Sequence, residues 1–236
     1  VSTKDGIEVM LSLFDDAKRV IAGDSLAEDL PVFDYELEEK VSAPGAETKS
    51  VSSVKEYNNA FKDCHKCGNC LGRESVYPGF GSDSPLALFI GDGPCQADRA
   101  LSKIFSGDEG RELVKWINVM QLERSEFYIT NIVKCLNTKR LKTFPCASEI
   151  GDEVSLLGPK AMLVLGQFAA RMMFADNRTI DEYRKDESLE FKGIPVTVTY
   201  HPRDVIRNRD LKRPVWDDIK RFAAQLSITS RLPRKG

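Results

Sequence analysis

Four short apolar runs constrain this chain most: LALFI at 86–90, FYITNIV at 127–133, AMLVLG at 161–166 and PVTVTY at 195–200. Each is the length of a buried strand. Helical stretches lie between and after them, near 110–121, 146–157, 167–175 and 214–226, and one more precedes them at 52–62. Strands that alternate with helices run parallel in a sheet covered on both faces. The expected fold class is therefore α/β, a three-layer α/β/α domain with a short, mainly parallel, four-stranded central sheet. Such sheets bind ligands beyond the carboxyl ends of their strands. Those ends read GDGPC (91–95), Asn131, Gly166-Gln167 and His201-Pro202.

Upstream, Ile7, Met10, Leu11, Phe14, Ala17 and Ile21 recur at helical spacing. We expect an amphipathic helix over 1–22, suited to tethering or to docking a protein partner, and an acidic flexible linker over 23–51. The body then spans 52–230, and 231–236 reads as a basic tail. Residues 1–50 hold 12 acids against 5 bases, so a net charge of −2 hides a remainder at +5. That surplus permits nucleic-acid binding without requiring it. No apolar run reaches the roughly 18 residues of a membrane span, and the start has no secretory pattern. The expectation is a cytoplasmic, monomeric protein.

In a reducing compartment six cysteines are not a disulfide framework. Cys64 and Cys67 form C-x2-C, and Cys135 and Cys146 form C-x10-C. Four thiolates suit zinc or an iron–sulfur cluster, and spacing alone does not choose between them. Cys70 and Cys95 are left over.

The order of segments resembles the family 4 uracil-DNA glycosylases, the iron–sulfur branch of the uracil-DNA glycosylase superfamily. The resemblance runs from about 58 to 226. It is carried by CHKCGNCLGR, FIGDGPC, KIFSGDEG, FYITNIVKC, LGPKAMLVLG and TYHPRDVIR. It implies a prokaryotic-type enzyme that excises uracil from single- and double-stranded DNA. It also implies a [4Fe–4S] cluster on Cys64, Cys67, Cys135 and Cys146. The short C-x10-C gap leaves Cys70 as an alternative fourth ligand.

Cleaving the N-glycosidic bond of deoxyuridine leaves a sugar cation and a uracil anion. The enzyme must grip the extruded base and stabilise charge on its O2. The resemblance implies that Phe105 stacks on the base, Asn131 reads it, and the loop of Gly91, Gly93 and Pro94 approaches it. His201 then faces O2, while Asp92 and Asp98 position water. Read without the resemblance, Phe105 is a core ring, while Asn131 is either a strand-end backbone cap or a base-reading amide. The resemblance also implies that PRDVIRNRDLKR is a loop in which Arg203 and Arg207 bind phosphates and Val205-Ile206 wedge the vacated stack; without it the segment reads as a solvated basic loop with Val205-Ile206 packed inward. A basic run from Lys134 to Lys142 should face the same strand.

Asp92 and Asp98 each replace a glutamate usual in the family, and Cys95 replaces a glycine. These departures keep an alternative open: a non-catalytic or altered-specificity iron–sulfur protein that binds nucleic acid.

Overall fold

A computed structural model describes residues 53–62, 64, 73–137, 146 and 149–233. The expected N-terminal helix and acidic linker lie outside the described residues, as do Cys67 and Cys70.

Eight strands are described: β1 (Arg73–Val76), β2 (Phe80–Gly81), β3 (Ala87–Gly91), β4 (Phe127–Asn131), β5 (Cys135–Asn137), β6 (Ala161–Leu165), β7 (Glu190–Phe191) and β8 (Ile194–Thr199). The main sheet has the order β2-β4-β3-β6-β8-β7. The four expected strands are its parallel core, β4-β3-β6-β8. Two-residue strands β2 and β7 add antiparallel edges. β1 and β5 form a separate antiparallel pair.

The parallel strands alternate their side chains between two apolar layers. Phe89, Ile129 and Leu163 face one side, with Trp116 of α3 (Asp108–Val119), Met120 just after it, and Ile219 and Phe222 of α8 (Lys212–Gln225). Leu88, Ile90, Met162, Val164 and Val198 face the other. Val54 of α1 (Val54–Lys62), Val154 of α4 (Ile150–Leu157) and Ala170 of α5 (Gln167–Phe174) pack on that side. Three further short helices are α2 (Gln96–Leu101), α6 (Ile180–Lys185) and α7 (Pro202–Arg207). Among the described residues no helix is long and apolar enough to cross a membrane.

Three expectations are corrected. The segment after His201 is a helix rather than a loop, because Pro202 fits the first helical position and His201 caps it. Lys134 does not face a DNA strand. It is fully buried, with Nζ 2.5 Å from Glu153 Oε2 and a further hydrogen bond to Thr130 Oγ1. The helix expected from 146 begins at Ile150, with Cys146 in a short turn before it. At the far end Arg231 pairs with Glu126 at 2.8 Å and Leu232 packs on the core.

Candidate active site at the carboxyl edge of the sheet

The parallel register brings Gly91, at the end of β3, level with Asn131, at the end of β4. It continues past the strands, where Ile132 N–H donates to Gly91 O at 2.8 Å and Val133 N–H to Asp92 O at 2.9 Å. Gly91 is required there. A Cβ on it would lie 2.5 Å from Asn131 Oδ1 and 2.6 Å from Phe105 Cζ. The three residues thus converge on one spot. Asn131 is 1% exposed, and its Oδ1 is buried with no hydrogen-bond partner. An orphaned buried acceptor costs about 1–3 kcal/mol, so it marks a place where a donor is meant to arrive.

Phe105 is held in a strained backbone with φ of 56°. Gly110 makes room for it, since a Cβ there would overlap the Phe105 carbonyl. Asp98 fixes the loop from below. Its Oδ1 accepts from Ser106 N–H at 2.8 Å and its Oδ2 from Cys95 N–H at 2.9 Å. The carboxylate therefore braces the GDGPC loop against the Phe105 loop. Each oxygen accepts one backbone N–H, so Asp98 holds the two loops in place. Cys95, at the start of α2, is partly buried, and desolvation pushes its thiol pKa up to about 12. That is the character of a small packed side chain rather than a nucleophile.

His201 is 3% exposed, and its ring lies 6.1 Å from the Phe105 ring, at 22°. Its Nδ1 accepts from Arg203 N–H at 3.2 Å. Desolvation, aided by the Arg203 charge, depresses its pKa well below the usual value. The imidazole is therefore neutral, with Nδ1 occupied as an acceptor and the proton on Nε2. Arg203 itself is tied to Glu109, Nε to Oε1 at 2.8 Å. Glu109, from the first turn of α3, escaped the sequence reading, which had no pattern to single it out.

Asp92 lies between these groups. A Cβ on Gly166 would sit 3.1 Å from His201 Cβ and 3.3 Å from Asp92 Oδ1. That oxygen accepts from Ala169 N–H at 3.1 Å, at the amino end of α5. Desolvation pushes the Asp92 pKa up to about 7, against the opposing pull of Arg203. Gly93 follows against Val133, and Pro94 is partly buried.

The expected DNA-binding group divides. Val205 is 1% exposed and belongs to the core, so it cannot wedge; the one-turn helix turns it inward. Ile206 is 42% exposed, and Arg207 is also exposed.

Three of the described cysteines form a second group. Cys64, Cys135 and Cys146 are all buried. Cys64 and Cys146 share an apolar cluster with Tyr57 and Phe61. A hydrogen bond to Cys135 and burial hold the Cys146 thiol pKa far above its usual value. Two buried neighbouring thiols ionise together only when a cation offsets them, which is the setting of an all-sulfur metal site. Among the described residues no three potential ligands stand close enough to hold an ion; Cys67 is outside them.

The sequence matches the uracil DNA glycosylase superfamily over residues 78–220. It is similar to the Type-4 uracil-DNA glycosylase of Thermotoga maritima, 27% identical over 68% of this chain and 88% of the relative. It is also similar to those of Sulfurisphaera tokodaii, 24% identical over 76% and 87%, and Archaeoglobus fulgidus, 24% identical over 73% and 92%.

Proposed function

Because the chain belongs to the uracil-DNA glycosylase superfamily, matching it over residues 78–220, we propose that it is itself a monofunctional uracil-DNA glycosylase. It flips uracil out of DNA, hydrolyses the N-glycosidic bond and so starts base-excision repair. The observation that carries the reading is the orphaned Oδ1 of Asn131 beside the Phe105 ring. Uracil presents an N3–H donor next to an O4 acceptor, which one amide matches through Oδ1 and Nδ2. Cytosine reverses that pattern and would leave buried groups unpaired.

Phe105 stacks on the extruded base, and Gly91 allows its close approach. Gly93 and Pro94 carry the loop past it. His201 Nε2–H donates to O2 as negative charge builds there. A neutral donor fixed before the reaction needs no rearrangement during it. One oxygen of Asp92 is held by Ala169 N–H; the other positions the attacking water. As water oxygen bonds to C1′ and the C1′–N1 bond breaks, Asp92 takes the water proton. Uracil leaves as an anion and is protonated by solvent.

Ile206 fills the vacated stack and Arg207 holds a flanking phosphate, while Arg203 positions His201 from beneath. Cys64, Cys67, Cys135 and Cys146 hold a [4Fe–4S] cluster, a cross-link between the body's first helix and the segment after β4. Uracil release from a deoxyuridine oligonucleotide, read by mass spectrometry, tests the reading. Tight binding of the strand with no base released would reject it.

A further inference from the structure

At the β2 edge, two cations converge on one aromatic ring. Lys103 Nζ lies 4.4 Å from the centroid of the Phe80 ring, and Arg124 Cζ lies 5.3 Å from the same centroid. Arg124 also lies 5.3 Å from the Phe127 ring. Phe80 and Phe127 are themselves packed against the core, so the platform is anchored. Neither cation has a carboxylate partner among the described residues, although nearby Arg231 pairs with Glu126 and Lys115 with Glu112. Desolvation, with the repulsion of Arg124, holds the Lys103 pKa below its usual value. Two like charges gathered without a counter-ion cost folding energy. Cation–ring attraction offsets part of that. An anion arriving between them would offset the rest.

The place of the patch says which anion. Lys103 stands two residues before Phe105, and its carbonyl accepts a hydrogen bond from Ser106 Oγ. Phe80 pairs with Ile129, two residues before Asn131 on β4. At about 3.3 Å per residue, that is about 7 Å along the strand from the base-reading amide, roughly the reach of one nucleotide. We infer that Lys103 and Arg124, mounted on Phe80, form a phosphate clamp for the DNA strand one or two nucleotides from the flipped base. The clamp rests on the glycosylase reading for its DNA, and it lies on a different element from the α7 contacts.

The test measures binding of the full, iron-loaded chain to a single-stranded deoxyuridine oligonucleotide across a salt series. Wild type is compared with Lys103→Gln/Arg124→Gln and with Lys103→Glu, alongside thermal melting and wild-type uracil release. Two lost phosphate contacts should make the slope of log affinity against log salt shallower by about 1.4, and weaken binding about 20-fold at 0.1 M salt. Lys103→Glu replaces a repulsion with a pair to Arg124, so its melting temperature should not fall while its binding does. An unchanged salt slope in both variants would overturn the clamp. So would a binding loss that appears only where melting shows the fold is lost. If wild type releases uracil and the slope does not move, the clamp alone is wrong. If wild type releases none yet the slope falls, the clamp stands and the enzymatic reading falls.

Discussion

The rings of Phe105 and His201 lie within 22° of parallel, with centroids 6.1 Å apart. A base inserted between them would need two contacts of about 3.5–4.0 Å, about 7–8 Å in all, which the gap does not provide. On the proposed function, a base stacked on Phe105 would therefore turn its edge towards the imidazole. Near-parallel planes aim the Nε2–H bond along a direction parallel to the plane of a base stacked on Phe105, the direction in which the O2 lone pairs accept. This arrangement follows from a strained phenylalanine on one loop and a capping histidine on another, each fixed by backbone contacts.

Gly91→Ala should abolish uracil release with little loss of stability. The added methyl would sit 2.5 Å from Asn131 Oδ1 and 2.6 Å from Phe105 Cζ, displacing the reader and the platform together. A drop of about 100-fold or more in kcat/KM is expected for an ångström of misplacement, with a melting temperature within a few degrees of wild type. Retained activity would mean that these groups do not define the base pocket.

The pH profile reports Asp92. Its carboxylate is the active form, so kcat/KM should rise through a pH of about 7 and fall away below it. His201 is already neutral and adds no limb in that range. Stability moves the opposite way. Between the unfolded value of 3.8 and about 7 the unfolded chain ionises while the folded one stays protonated, so stability falls as pH rises. Asp92→Asn should therefore be nearly inactive yet more stable above pH 7, by about 1–3 kcal/mol because solvent reaches part of the residue. Denaturant melts at pH 5 and pH 8 distinguish this from an ordinary surface acid, which would show no gain.

Glu153→Ala should cost about 3–5 kcal/mol, because it strands the fully buried Lys134 ammonium. Lys134→Met with Glu153→Leu together should recover most of it. Chemical denaturation of the two variants gives the comparison. An equal loss in both would show that packing, not charge, is at stake.

Iron and sulfide content separates the thiols. Cys146→Ala should fall well below the about four irons of a full cluster, whereas Cys70→Ala should keep them. The reverse would move the fourth ligand to Cys70. One zinc and no sulfide would replace the cluster with the other all-thiol site.

The parallel core was legible because Ala87–Gly91 and Ala161–Leu165 are buried on both faces and must be apolar throughout. Strand β7 was not. It owes its two residues to the turn at Lys192 and Gly193, both with positive φ, rather than to any apolar pattern. Helix α6 carried a readable signal that was missed, the capping box of Thr179 and Glu182. At the site, motif order pointed to Phe105, Asn131 and His201, and the fold brings them to one edge. It could not separate Val205 from Ile206, since helical neighbours point about 100° apart and only one of these two faces the core. Nor could it show that Asp98 spends both oxygens on backbone or that Glu109 holds Arg203, because such contacts exist only once the loops meet. The family resemblance drawn from the motifs is borne out by the match over residues 78–220.

The most direct measurement is uracil release from a single-stranded oligonucleotide by wild type and by His201→Ala. Loss of the Nε2–H donor should slow release by about 10²–10³-fold while the variant folds as wild type does. Equal rates in the two proteins, or no release from folded, iron-loaded wild type, would contradict the account.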